Sequence, residues 1–274
     1  AEVTGLSSAG QRIPVRLNGR EVVIPVRPGE QSITLQWTAA RPLPVRARVD
    51  ALRLPVESAN VTTTVAMPAQ RWVLWADGPL RGPAVRFWSL LVCALLFAWG
   101  LGLVPLPTFR RWEWALLLVG LTQTSLVAAF AFVLWIFALA ARGSFAHRIG
   151  SRFAFNTSQI LLVFGAFVAT IVLVSVLHVG LLGVPRMIIR GEGSTTSLLR
   201  WLQPRSGPDL PTPSVVSVSI WIYRLLMLAW ALWLAFAMLR WVKWGWQQFT
   251  AGGLWRGRPK KLSKEPVTPK GETN

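Results

Sequence analysis

Apolar and polar positions alternate with period two through the first 80 residues, and long unbroken apolar runs follow. Period-two alternation places successive side chains on opposite faces of a strand. In "RIPVRL" (12–17), Ile13, Val15 and Leu17 share one face and arginines take the other. "NG" (18–19) then separates this run from "REVVIPV" (20–26), and Asn-Gly between alternating runs signals a hairpin because both residues tolerate positive φ. "QSITLQW" (31–37), "VRARVDALRLPV" (45–56), "NVTTTVAM" (60–67) and "RWVLWAD" (71–77) supply further strands. The pattern predicts a small all-β sandwich over residues 1–84. Prolines at 14, 25, 44 and 55 fall inside the runs and suggest edge strands or bulges.

Apolar runs longer than about 18 residues read as membrane spans. Four are predicted, at about 87–104, 114–140, 160–184 and 216–239, giving a helical transmembrane domain over 85–250. The second is long enough to require tilt, a kink or an interfacial start. "GLTQTS" (120–125) interrupts it, but the stretch before the break, 111–121, is too short to cross at about 1.5 Å per residue. The third carries Gly165 with Ala169 and Ala166 with Thr170, small residues four apart that let helices approach closely. Residues 185–215 read as a long loop with a short helix, "TTSLLRWLQ", and a Pro-rich return. Residues 251–274 read as a basic, disordered tail. The expected fold is thus a membrane protein with a β-sandwich followed by a bundle of about four transmembrane helices.

Composition sharpens this reading. The chain is 53% hydrophobic and only 15% charged, against about a quarter charged in a soluble domain. Its net charge of +18 is scattered over the N-terminal region, loops and tail, as is normal beside membrane spans, and does not mark a nucleic-acid protein. The first 86 residues hold eleven arginines and no lysine, which reads first as a solvated face and, more specifically, as a surface for an anionic partner such as a lipid head group or a polysaccharide. The single cysteine, Cys93, excludes an intrachain disulfide and a Cys-based metal site. The start "AEVTG" lacks Met, which suggests a removed leader peptide or a fragment of a longer chain.

Four crossings would put the N-terminal region, the 141–159 loop and the tail on one side. That side, apart from the β region, carries eleven basic residues against six on the other, which makes it cytoplasmic by the positive-inside rule. A secreted β domain requires the opposite. A fifth crossing would resolve the conflict, and the "GLTQTS" break is the one candidate for it.

Candidate chemistry centres on Arg224 in "WIYRLLMLAW". The uninterrupted run after it, Leu225 to Leu239, is 15 residues, about 22 Å against a core of about 30 Å. This predicts a span that begins near Val216 and buries Arg224. The four-span topology then places Glu113, His178 and Arg224 in one half of the bilayer, a polar cluster suited to helix packing or to proton or ion passage. Thr122, Gln123, Thr124 and Ser125 form a polar belt. Trp88, Trp112, Trp114, Trp221, Trp241, Trp244 and Trp246 fall at predicted span ends and read as interfacial anchors. Neither His147 nor His178 has a metal partner in the sequence pattern. No nucleophile elbow, zinc-protease motif or phosphate loop is present, so no cofactor, metal or catalytic residue is expected.

Four stretches, "RWVLWADGPLRGPAVRFW", "LLRWLQPRSGPDLPTP", "LAWALWLAFAMLRWVKWGW" and "GGLWR", resemble the C-terminal region of large, uncharacterised bacterial inner-membrane proteins. The resemblance covers most of the chain. It implies a signal peptide and a long extracytoplasmic β-rich region ahead of the C-terminal spans, and therefore a periplasmic β domain. It implies no activity. The expectation is a non-enzymatic membrane subunit that scaffolds an envelope assembly with protein partners. The alternative is a transport or conduction component using the polar cluster.

Overall fold

A computed structural model describes residues 2–256 apart from Ala9, Arg20, Ala40, Arg41, Leu80, Pro105, Pro107 and residues 146–149. The predicted tail beyond Arg256 therefore lies outside the described residues. A β-rich N-terminal part is followed by helices, and the chain divides into two units, Ala1–Ala47 and Arg48–Asn274. This division differs from the expected boundary near residue 84, because the later β-strands belong with the helices.

In the first unit, β1 (Glu2–Ser8) lies antiparallel between β2 (Gln11–Arg12) and β5 (Ile33–Thr38). The Asn-Gly hairpin forms as its sequence dictates. β3 (Arg16–Asn18) pairs with β4 (Glu21–Val23), and Gly19 takes the positive φ of 63° that the turn needs. Leu6 is buried, and most other side chains of this unit are exposed.

Beyond β6 (Arg46–Arg48), the second unit contains β7 (Ser58–Ala66), β8 (Arg71–Asp77), β9 (Ala84–Val85), α1 (Phe87–Leu101), α2 (Arg111–Leu121), α3 (Leu126–Phe145) and α4 (Arg152–Leu182). It continues with β10 (Ile189–Arg190), β11 (Leu198–Ser206), β12 (Ser214–Ser219) and α5 (Ile220–Thr250). No sandwich of consecutive strands forms among the described residues. Instead β11 pairs antiparallel with β7, β12 with β8, and β10 with β9. The 185–215 segment, expected to be a loop with a short helix, is therefore half of a strand layer. Its period-two pattern explains why: Leu199 and Trp201 are buried while Arg200 between them is exposed. "SVVSVS" (214–219), where the fourth span is expected to begin at about 216, is a Val-rich run that pairs as a strand, and its last residue, Ser219, caps α5.

This layer encloses its own core of Met67, Val73, Phe87, Met187, Ile189, Leu199, Trp201 and Val215. It is joined to three helices at their ends. The Phe87 amide donates to Met187 O at 3.2 Å, the Trp88 indole donates to Leu74 O at 2.8 Å, and the Ile220 amide donates to Gln70 O at 2.8 Å.

Three helices, α3, α4 and α5, are long and apolar enough to cross a membrane, which is compatible with a membrane protein. α1 has 15 residues and packs on α2 as a helical hairpin. The expected span 114–140 is two helices, because the polar run 122–125 breaks it. Thr122 and Thr124 turn their hydroxyls onto the carbonyls of Val119 (2.6 Å) and Leu121 (2.8 Å), and Ser125 Oγ accepts from the Ala128 amide at 3.2 Å to start α3.

Helix directions follow from pairs of contacts. α4 runs against α5, since Gly180 meets Met227 and Gln159 meets Phe249. α3 runs with α5, since Leu139 meets Gly245 and Gly143 meets Gln248. α2 runs against α5, since Glu113 meets Arg240 and both Leu116 and Gly120 meet Trp230. The end of α3, the start of α4 and the end of α5 therefore share the pole remote from the strand layer. This corrects the four-span arrangement, in which the 141–159 loop and the chain end accompanied the N-terminal strands. The break at 122–125 adds one reversal of direction, and the return of 185–215 to the strands fixes the other pole.

Candidate functional site: polar contacts inside the helical bundle

Glu113 is the third residue of α2 and is fully buried. Its Oε2 accepts from the Arg110 amide at 3.1 Å, satisfying an open donor at the start of α2, and its Oε1 accepts from Arg240 Nη2 of α5. Their chain neighbours join an aromatic cluster. Phe109 stacks on Trp114 and on Trp241, each at 4.8 Å, and meets Trp244 edge-on at 5.7 Å. Low dielectric around the carboxylate strengthens its attraction to the guanidinium.

Arg224 is the fifth residue of α5 and half-buried, with its guanidinium 5.1 Å above the Trp221 ring. It stands 16 residues before Arg240, about 24 Å along the helix axis. His178 is exposed on α4. The structure thus does not bring Glu113, His178 and Arg224 together. The length argument failed because it stopped the apolar run at Arg240. Pairing with Glu113 neutralises that arginine, so α5 continues for 31 residues to Thr250 and Arg224 moves to the strand-layer end. Replacing Arg224 with Leu is expected to change stability by less than about 1 kcal/mol, because the stacked arginine has no ion partner among the described residues to strand. A thermal midpoint in detergent within about 2–4 °C of wild type checks this.

The polar belt at 122–125 has a specific role for Gln123. Its side chain is buried and its Oε1 accepts from the Arg186 amide at 3.1 Å, which ties the α2–α3 break to the segment after α4. A second polar contact escaped the sequence reading. Buried Gln159 donates from Nε2 to the carbonyls of Phe249 (3.1 Å), Gly253 (3.3 Å) and Leu254 (3.4 Å). Asn156, one turn earlier, exchanges hydrogen bonds with the Arg256 backbone at 3.3 and 3.1 Å. Together they satisfy carbonyls that the end of α5 leaves open and hold residues 249–256 on α4. The polar run Asn156–Gln159 near the start of a mostly apolar helix was the available signal.

The tryptophans separate into two groups. Trp88, Trp112, Trp221 and Trp246 are exposed, as interfacial anchors require. Trp114, Trp241 and Trp244 are buried against Phe109 and pack in the bundle core. The small residues of α4 divide between its buried and exposed faces. A side chain at Gly165 would strike the Trp135 indole, which donates to Leu162 O at 3.1 Å, and Ala169 is buried. Ala166 is half-buried, and Thr170 is exposed and bonds back to Ala166 O at 2.9 Å, within its own helix.

Among the described residues the polar contacts inside the bundle are helix-to-helix locks. Comparison of the chain with protein-family models, with curated proteins and with solved structures found no match.

Proposed function

We propose that this chain is a non-enzymatic membrane subunit whose helices carry a strand layer rigidly at one bundle pole and so scaffold a larger envelope assembly. The observation behind this reading is the stitching of that layer. Strands preceding α1 pair with strands preceding α5, and the segment after α4 joins them, so three helices share one layer. A layer built this way transmits position, not substrate. The transport alternative depended on three polar residues converging, and they are spread along the bundle.

The strand layer faces the extracytoplasmic side of a bacterial inner membrane in this proposal. Arg110, Arg111, Arg142, Arg152, Arg240, Lys243 and Arg256 all belong to the opposite pole, which fits the positive-inside rule without the conflict seen in the four-span arrangement.

Two measurements test the proposal. In a Cys93→Ser background, Thr196→Cys in the strand layer is expected to react with a membrane-impermeant maleimide added to intact spheroplasts. Ser144→Cys at the end of α3 is expected to react only after lysis. The reverse pattern overturns the orientation. The chain purified in mild detergent is expected to retain a stoichiometric protein partner, and the chain alone in proteoliposomes is expected to pass no proton or ion current. Current through the purified chain overturns the scaffold reading.

A further inference from the structure

Arg142, in the last turn of α3, is only 4% exposed, and none of its three guanidinium nitrogens has a hydrogen-bond partner among the described residues. Its guanidinium lies 4.1 Å above the Phe155 ring, and the Arg256 guanidinium lies 4.2 Å from the same ring. Two cations on one buried ring repel each other, and a buried guanidinium without a countercharge costs several kcal/mol. No carboxylate among the described residues lies there. Among the described residues after Arg86 the acids are Glu113, Glu192 and Asp209. Glu113 is bound to Arg240, and the other two belong to the segment that forms the strand layer at the other pole.

The same arginine heads a groove of about 520 Å³ between α3 and α4. The groove is lined by Leu134, Ala138, Phe145, Leu161, Phe164 and Val168, with Leu134 70% and Leu161 64% exposed. From Arg142 back to Leu134 the groove extends about 12 Å along α3. An apolar slot leading away from an unneutralised cation at a helix end matches one chemistry, a fatty-acyl chain carrying a phosphate at its polar end. The planar guanidinium fork suits a phosphate diester bidentately.

We propose that this groove binds one anionic phospholipid, its acyl chain between α3 and α4 and its phosphate on Arg142, whose buried positive charge disfavours a choline head group. The test uses the full chain, delipidated in mild detergent, with phosphatidylglycerol, phosphatidylcholine and inorganic phosphate as probes in native mass spectrometry. Phosphatidylglycerol is expected to bind at one site at least tenfold more tightly than phosphatidylcholine, and inorganic phosphate is expected not to compete at matched concentration. Arg142→Gln is expected to abolish that preference. Leu161→Trp, which fills the slot and leaves the arginine in place, is expected to weaken phosphatidylglycerol by about tenfold or more, since an acyl chain binds through the area it buries. Either variant that retains a wild-type monodisperse profile serves as the test. Equal binding of the two lipids, full competition by inorganic phosphate, or wild-type preference in a folded variant overturns the site.

Discussion

Replacing Arg240 with Leu is expected to destabilise the chain by about 3–5 kcal/mol, because it strands a fully buried carboxylate inside the bundle. Glu113 has no exposed surface, and after loss of Arg240 the Arg110 amide is the one donor it keeps among the described residues. A thermal midpoint about 10 °C below wild type in detergent is the corresponding result, at roughly 2–4 °C per kcal/mol for a domain of this size. The partner substitution is expected to be milder. In Glu113→Gln the charge left behind is Arg240, whose side chain is 55% exposed and long enough to turn toward the head groups. A loss of about 1–3 kcal/mol follows from one charge-assisted hydrogen bond. The double variant Glu113→Leu with Arg240→Leu is expected to recover most of the stability, since an ion pair and an apolar pair of similar volume are often equivalent when buried. Equal costs for the two single variants, or a double variant as unstable as Arg240→Leu, would show that the pair is not closed.

The same ion pair explains where the sequence misled. "RWVLWAD" appears in the structure with the bounds its alternation gives, Arg71–Asp77, because a strand of period two states its own face. The Asn-Gly turn is equally local. Span arithmetic is different. The distance from Arg224 to Leu239 is meaningful only if Arg240 ends the apolar run, and whether it does depends on Glu113, 127 residues earlier. Hydropathy has no access to that pairing. The strand layer failed for a related reason. "LLRWLQ" and "SVVSVS" carry strand patterns, but their partners lie about 140 residues away in β7 and β8. Read beside apolar helices, half-apolar strands pass for loop and span. One long-range clue was available. A break of four polar residues inside 114–140 is costly in a continuous span and is relieved by ending one helix and beginning another.

Trp201→Ala is expected to unfasten the strand layer while leaving the helices folded. Trp201 is 2% exposed in β11, opposite Thr63 of β7. Its indole lies where side chains at Gly78 and Gly82 would be, and a methyl at Gly78 would also stand 2.8 Å from Pro213. The ring thus holds the turn after β8, the approach to β9 and the approach to β12 at once. Truncating a buried Trp costs about 3–5 kcal/mol through lost burial and the cavity left behind. A layer this small has few other large buried side chains to compensate, so the loss falls on local opening more than on the bundle. Hydrogen exchange in detergent is expected to show the amides of 58–77 and 198–219 losing protection by about a hundredfold or more, at 1.4 kcal/mol per tenfold, with α3, α4 and α5 unchanged. Gly82→Val approaches the same contact from the other wall and is expected to reproduce the pattern by driving the ring out. If both variants instead lower protection in α4 and α5 to the same extent, the layer and the bundle unfold as one unit, and the strands are a structural part of the membrane core, not a platform carried by it.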